Sequence, residues 1–209
     1  MKKKRVTFIH TESESFAIEL LSSILKKNGH YVSLIFDNRL FDSAEIKNST
    51  LKNFFGQTDI LLKQVADSNP DLICFSAFTY NYQWALGVAR QIKKVVGNIP
   101  IVFGGIHPTL MPELVIKNKC VDIVCIGEGE GALLELVNNL GKESRYKINN
   151  LWFKKDGDVI RNEPRPLVKN LDSLPFPDKD LFAPYHPIYK SGYALVAGRG
   201  CPYHCAFCC

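Results

Sequence analysis

The chain has 209 residues, of which 46% are hydrophobic and 22% are charged, a composition that is ordinary for a globular protein. The formal net charge is +5, but the run Lys2–Arg5 supplies much of it, and the lack of interleaved aromatic residues argues against a nucleic-acid surface. No apolar run reaches the roughly 20 residues that a membrane-spanning helix needs, and the basic start lacks the apolar core of a signal peptide.

Apolar runs and helical periodicities alternate along residues 1–140. Continuous apolar runs predict five strands, at Val6–Ile9, Tyr31–Phe36, Leu72–Phe75, Ile101–Phe103 and Val121–Ile126. Apolar residues at helical spacing predict helices between and after these strands, and a short helix is predicted from Met111 to Ile116. Because the strands are continuously apolar, both faces of the sheet are expected to be buried. The pattern predicts an α/β domain with a doubly wound five-stranded parallel sheet.

The composition changes after Leu140. A small hairpin is predicted around the turn residues Asp156 and Gly157. A proline-rich stretch then follows without helical period, which indicates an ordered or semi-rigid connector and not a core element. The apolar run Tyr193–Ala197 begins something new. We therefore predict three parts: a domain at 1–140, a hairpin and connector at 141–190, and the start of another domain at 191–209.

Four of the predicted strands end in polar or glycine-rich loops at the same edge of the sheet. Ligands of doubly wound sheets bind beyond the carboxyl ends of the strands. The candidate binding residues in these loops are Thr11, Glu12, Ser13, Ser76, Ala77, Phe78, Thr79, Gly104, Gly105, His107, Gly127, Glu128 and Gly129.

Several of these candidates also have interpretations that involve no ligand. Ser13 or Ser15 is typical of a helix cap, and Gly104-Gly105 either makes a tight turn or admits a ligand. The loop after the fifth strand formally matches a dinucleotide fingerprint, but that motif belongs after the first strand, and Glu128 and Glu130 would repel a pyrophosphate. These carboxylates are instead expected to accept hydrogen bonds from ligand amides or hydroxyls.

The seven cysteines form two groups. Cys74, Cys120 and Cys125 lie in or beside apolar runs, where free cysteine behaves as a small buried hydrophobe. The other four crowd the last nine residues, and both groups favour a reducing, cytoplasmic location. The spacing Cys201-x3-Cys205-x2-Cys208 suits convergence on one soft metal centre. Zinc is the alternative, although structural zinc sites usually use separated C-x2-C pairs.

The terminal motif, with Phe207 before its third cysteine, resembles the cluster motif of radical S-adenosylmethionine enzymes. Three upstream segments resemble the subfamily that has an N-terminal cobalamin-binding domain. These segments are Gly104–Pro108, Asp122 with Gly127–Glu130, and Leu171–Pro177.

This resemblance implies a [4Fe–4S] cluster on Cys201, Cys205 and Cys208, with S-adenosylmethionine on the open iron as the source of a 5′-deoxyadenosyl radical. It also implies a Rossmann-like cobalamin domain whose methylcobalamin lies over the carboxyl edge of the sheet. The implied activity is methyl transfer to an unactivated carbon of a small-molecule, natural-product, tetrapyrrole or lipid-type substrate, with an electron donor as partner. A cyclase or other radical rearrangement enzyme, and a cobalamin carrier or sensor without catalysis, remain as alternatives.

Two departures from related patterns give further expectations. The axial-histidine motif Asp-x-His-x-x-Gly of another cobalamin fold is missing, which predicts base-off cobalamin without a histidine ligand. If a histidine does bind the cobalt, His10 is the candidate. A complete barrel needs about 250 residues, whereas 191–209 holds only its first strand. The chain is therefore expected to be the front part of a longer enzyme and inactive by itself.

Overall fold

The computed structural model describes residues 2–37, 57–185, 196, 198–201 and 203–206. Its strands are β1 (Arg5–Thr11), β2 (Tyr31–Asp37), β3 (Leu72–Ser76), β4 (Ile101–Gly104), β5 (Ile123–Cys125), β6 (Leu151–Lys155) and β7 (Asp158–Arg161). Its α-helices are α1 (Phe16–Lys27), α2 (Gln57–Ser68), α3 (Tyr82–Val95), α4 (Ile106–Leu110), α5 (Pro112–Ile116) and α6 (Glu130–Asn138). Three 3-10 turns lie at Glu143–Lys147, Leu171–Ser173 and Lys179–Leu181.

All seven strands form one sheet in the order β2-β1-β3-β4-β5-β6-β7. Strands β1 to β5 pair in parallel, which confirms the doubly wound parallel sheet. The predicted hairpin is present, with Asp156 and Gly157 at φ 51° and 92° in its turn. It extends the sheet, because β6 pairs antiparallel with β5 and β7 with β6. The sheet thus continues past residue 140, and the domain boundaries proposed from the sequence stay a prediction.

Apolar side chains cover both faces of the sheet, as the continuous strand runs predict. Helices α1 and α6 pack on one face, where Phe8 is 1% exposed. Helices α2, α3 and α5 pack on the other, where Ile9 is fully buried. Successive residues of β1 therefore serve opposite layers, and each such burial contributes about 1.5–3 kcal/mol.

Helix α1 is delimited by local sequence signals. The Ser15 hydroxyl accepts a hydrogen bond from the Ile18 amide at 3.4 Å, which confirms the cap interpretation for Ser15. The helix ends at Lys27 with Asn28 as its C-cap, and Gly29 follows with φ 83°, a left-handed conformation that glycine adopts without strain. Because only four residues separate the end of β1 from Phe16, the amino end of α1 lies at the carboxyl edge of the sheet.

The connector is fastened along the outer side of α1. The Asp178 amide donates to the Glu19 carbonyl at 3.1 Å, and the Ser22 hydroxyl donates to the Asp178 carboxylate at 2.5 Å. One residue further along α1, the Ser23 hydroxyl donates to the Phe176 carbonyl at 2.5 Å. The segment that resembled a family signature, Leu171–Pro177, therefore lies against α1.

A buried polar cluster strengthens this attachment. Lys179 pairs with the Glu14 carboxylate and donates a hydrogen bond to the Glu19 side chain at 2.8 Å. Glu19 is fully buried on α1, and burial raises its pKa to about 8. Phe182, just beyond, is fully buried in the core layer of α1. The connector thus contributes to the core, and the prediction from its composition that it is not a core element was wrong.

Two of the sequence predictions concern residues that the structure does not describe. Of the predicted strand Tyr193–Ala197 only Val196 is among the described residues, and Cys208 is not among them. Among the residues that are described, no helix has both the length and the apolar character needed to cross a bilayer.

Candidate functional site

A cavity of about 630 Å³ opens at the carboxyl edge of the sheet. It descends between the sheet and helices α1 and α6, with Phe8 and Cys74 on its sheet wall and Leu21 and Leu133 on its helix wall. Its mouth is formed by the end of β3 and by the loops that follow β4 and β5. The position is the one at which doubly wound sheets bind ligands, and the wall is mainly apolar.

A glycine pair at the mouth of the cavity allows two backbone segments to pack closely. A Cβ added at Gly105 would lie 2.8 Å from the Ala77 carbonyl oxygen and 2.9 Å from its amide nitrogen. Gly105 also has φ 98°, so both its conformation and its surroundings exclude a side chain. At Gly104 a Cβ would lie 3.5 Å from the Cβ of Cys125, an ordinary contact. Close backbone approach is therefore essential at Gly105.

Thr109, which the sequence interpretation missed, joins two of the loops. Its hydroxyl donates to the Gly105 carbonyl at 2.8 Å and accepts from the Gly127 amide at 3.0 Å. Thr109 itself lines the cavity. A hydroxyl residue one helical turn after a glycine pair was the available signal, but its second partner comes from a distant loop.

Six of the thirteen candidate loop residues line the cavity: Ser76, Gly104, Gly105, Gly127, Glu128 and Gly129. Seven do not: Thr11, Glu12, Ser13, Ala77, Phe78, Thr79 and His107. Several of the second group have local structural roles. The Thr11 hydroxyl donates to the Asp37 carbonyl at 2.7 Å, and the Phe78 amide donates to the Asn81 side chain at 2.9 Å.

Two histidines near this edge are packed inside the protein. His107 is 9% exposed, its Nδ1 lies 3.1 Å from the Thr79 hydroxyl, and its ring centroid lies 4.1 Å from that of Tyr82. Burial lowers the pKa of His107, which favours the neutral ring. His10 is 1% exposed and packs edge-on against Phe182, with a centroid distance of 6.1 Å. Neither histidine lines the cavity.

The carboxylates of the acidic loop after β5 accept hydrogen bonds from other parts of the protein. The Glu128 carboxylate accepts from the Val168 amide at 2.6 Å and from the Arg199 guanidinium at 2.7 Å. Arg199 also pairs with Glu130, and all three charged side chains line the cavity. The sequence assigned these carboxylates to a ligand, whereas the structure gives them partners from the connector and from the segment before Cys201.

The aspartate of the resembling motif lies at the opposite edge of the sheet. Asp122 accepts from the Ile101 amide at 2.7 Å and from Lys93 Nζ at 2.7 Å. Both contacts lie at the amino ends of β4 and β5, so Asp122 fixes these strands and does not contribute to the cavity.

The cysteines divide as the sequence indicates. Cys74, Cys120 and Cys125 are buried, whereas Cys201 and Cys205 are exposed. Burial raises the pKa of Cys125 to about 12, and the nearby charge of Glu130 adds to the effect, which makes this thiol a poor metal ligand. Within the described ranges, no three His, Cys, Asp or Glu side chains are grouped as a metal site would need.

Apolar side chains extend from the cavity mouth onto the surface. Ile106 is 53% exposed, and Leu110 and Met111 are each 48% exposed. Ile106 and Leu110 also line the cavity. An apolar cavity with an exposed apolar rim suits a large, partly apolar organic ligand.

Comparison with known proteins adds a family to this geometry. The sequence profile of the B12 binding domain matches residues 6–137. An uncharacterised methyltransferase of Pyrococcus horikoshii is 36% identical over 153 residues, which cover 71% of this chain and 33% of that protein. An anaerobic magnesium-protoporphyrin IX monomethyl ester cyclase of Cereibacter sphaeroides is 26% identical over 225 residues, covering 98% of this chain and 34% of that protein.

A solved structure shares the fold. It is the cobalamin-dependent S-adenosylmethionine radical enzyme OxsB with aqua-cobalamin and S-adenosylmethionine bound, with a TM-score of 0.66 and 20% identity. The match covers 87% of this chain and 25% of that one. The chain thus spans about a third or less of the length of these relatives, and the resemblance inferred from the cysteine and loop motifs is confirmed.

Proposed function

Because the chain belongs to the B12-binding domain family, we propose that its cavity holds cobalamin for a radical S-adenosylmethionine enzyme. The observation that carries this proposal is the glycine-lined cavity at the carboxyl edge of the sheet. The apolar lining of the cavity fits cobalamin. The cavity would take the nucleotide tail of cobalamin, and the exposed rim residues Ile106, Leu110 and Met111 would support the broad corrin ring.

The residues of this chain would act mainly by shape. Gly105 and the glycines of the β5–α6 loop leave room for the tail at the entrance, and Thr109 holds the two loops together. Apolar walls exclude water from the bound group. Since neither His10 nor His107 lines the cavity, the lining supports cobalamin without a histidine ligand, and we propose the base-off form from the missing axial-histidine motif.

The terminal cysteines are proposed to hold a [4Fe–4S] cluster. Cys201 and Cys205 are exposed, Cys201 directly follows the cavity-lining residues Arg199 and Gly200, and Cys208 would be the third ligand. When bound, the cluster and S-adenosylmethionine would supply radical chemistry, and cobalamin a methyl group. Thiolates in an accessible position suit this role, whereas the buried Cys74, Cys120 and Cys125 do not.

Methyl transfer to an unactivated carbon of a small molecule is the proposed reaction of the whole protein, with an external electron donor. The methyltransferase relative at 36% identity supports it. A cyclisation is the second candidate, because the match to the cyclase extends over 98% of this chain. A cobalamin carrier is the third and differs by needing no cluster.

Anaerobic iron–sulfur reconstitution separates the enzyme from the carrier. We expect iron and sulfide for one four-iron cluster, lost in Cys205→Ala and retained in the matched control Cys120→Ala, whose thiol is buried. Iron content that is unaffected by Cys205→Ala would contradict the cluster assignment and favour the carrier.

Electron paramagnetic resonance of the cob(II)alamin-loaded protein tests the coordination state. Base-off cobalamin without a nitrogen ligand predicts a spectrum without nitrogen superhyperfine splitting. Observed nitrogen splitting would contradict the base-off proposal, and its loss in a His10→Ala variant would identify the ligand.

A further inference from the structure

Arg199 connects the segment that begins at Cys201, called the cysteine segment below, to the cavity rim. Its guanidinium donates to Glu128 at 2.7 Å and also pairs with Glu130. The three side chains are only 28%, 21% and 10% exposed, so solvent screens these pairs less than surface pairs. The planar fork of arginine engages the two carboxylates in a fixed geometry, which the point charge of lysine on its flexible stem holds less rigidly.

The carboxylate side of this bridge is firmly held. The second oxygen of Glu128 accepts from the Val168 amide at 2.6 Å, and its backbone carbonyl accepts from the Asn150 side chain at 2.7 Å. Asn150 is 3% exposed and also accepts from the Arg165 amide at 2.5 Å. The β5–α6 loop, the hairpin and the connector thus converge on Glu128, which makes it a rigid anchor.

The arginine side of the bridge carries the cysteines. Cys201 follows Arg199 by two residues, a span of at most about 7 Å. Gly200 between them has φ 80°, so the backbone turns sharply there. Both Arg199 and Gly200 line the cavity. The first cysteine is therefore held close to the rim by one side chain.

We propose that Arg199 is a positioning residue that fixes the cysteine segment over the cavity through Glu128 and Glu130. The inference rests on the proposed function, in which the cavity holds cobalamin and the cysteines hold a cluster. The bridge then sets the separation of the two cofactors. Simple neutralisation of two neighbouring carboxylates is the alternative, and it would not require a fixed geometry.

Trypsin cleavage after Arg199 tests the bridge in the protein without cofactors. Trypsin is expected to cleave slowly after an arginine that two carboxylates hold, because the side chain must leave them before it can bind in the protease active site. In Glu128→Gln/Glu130→Gln we expect cleavage after Arg199 to be faster by about 5- to 30-fold, the factor that 1–2 kcal/mol represents. Glu113→Gln is the matched control, because it releases Arg161 from a similar but exposed pair on β7.

Two results of the protease experiment are decisive. An unchanged cleavage rate after Arg199 in the double variant would overturn the bridge. Cleavage after Arg90, inside α3, reports global unfolding; if the double variant unfolds, Glu130→Gln alone is measured, and its unchanged rate after Arg199 would overturn the bridge equally.

Spin relaxation of cob(II)alamin by the reduced cluster tests the positioning role, because this effect falls steeply with distance. In Arg199→Ala molecules that carry both cofactors we expect at least a twofold slower relaxation than in the wild-type protein, and partial restoration in Arg199→Lys. Wild-type relaxation in Arg199→Ala would overturn the positioning role. Failure of the wild-type protein to retain corrin would refute the proposed function instead, while the protease result would still decide the bridge.

Discussion

Replacement of Gly105 by alanine tests whether the cavity mouth depends on close backbone approach. Gly105 has φ 98° and ψ −172°, a region that essentially only glycine occupies, at a cost of about 1–3 kcal/mol for other residues. The new Cβ would also lie 2.8 Å and 2.9 Å from the Ala77 backbone oxygen and nitrogen, and overpacking adds about 1–3 kcal/mol.

The clash falls on atoms that already make hydrogen bonds. The Ala77 amide donates to the Gly104 carbonyl at 2.8 Å, and its carbonyl accepts from the His107 amide at 3.1 Å. Because this neighbour is backbone, it cannot rotate away. We therefore expect Gly105→Ala to lower the free energy of unfolding by about 2–6 kcal/mol in total, and to weaken corrin binding as the loops separate.

Urea denaturation monitored by circular dichroism provides the assay. The matched control is Gly87→Ala, in the middle of α3 with no atom within 4 Å of the added Cβ; it should raise stability by about 0.5–1 kcal/mol. A loss below about 1 kcal/mol in Gly105→Ala would refute the reasoning, since backbone strain alone should exceed it.

Three further predictions concern the rest of the chain. The raised pKa of Glu19, about 8, means that the folded chain keeps a proton that the unfolded chain releases near pH 4.5, so stability should fall as pH rises from about 4.5 to 8. Glu19→Gln should flatten that decline in urea titrations, and an unchanged slope would contradict it. Asp122→Ala removes the acceptor of the Ile101 amide and should cost about 1–3 kcal/mol in thermal or urea unfolding; no loss would show that β4 is held without it. Maleimide labelling read by mass spectrometry should modify Cys201 and Cys205 quickly and the buried cysteines only on unfolding, whereas equal rates would contradict the described burial.

The parallel sheet was predictable because its signal is local. Runs such as Leu72–Phe75 are apolar on successive residues, and only burial on both faces accounts for that pattern. The glycines at 104 and 105 left a tight turn and close approach of a ligand as alternatives, and the structure shows Gly105 packed against the Ala77 backbone. These features require no knowledge of distant partners.

The missed features depend on long-range pairing. The hairpin turn at Asp156-Gly157 was recognisable, but its pairing with β5 was not, since a local turn does not specify the neighbouring strand. The partners of Glu128 come from residues 168 and 199, which lie in segments without periodicity. Apolar residues of α1 such as Leu21 predicted a buried face but not that part of this face borders a cavity.

The most direct test of the account is titration of the chain with hydroxocobalamin, followed by desalting and absorbance spectroscopy. Cobalamin in the cavity predicts retained corrin absorbance at about one equivalent per chain, reduced in Gly105→Ala and unchanged in Gly87→Ala. Complete loss of corrin from the folded wild-type chain on desalting, at concentrations that saturate a micromolar site, would contradict the central claim.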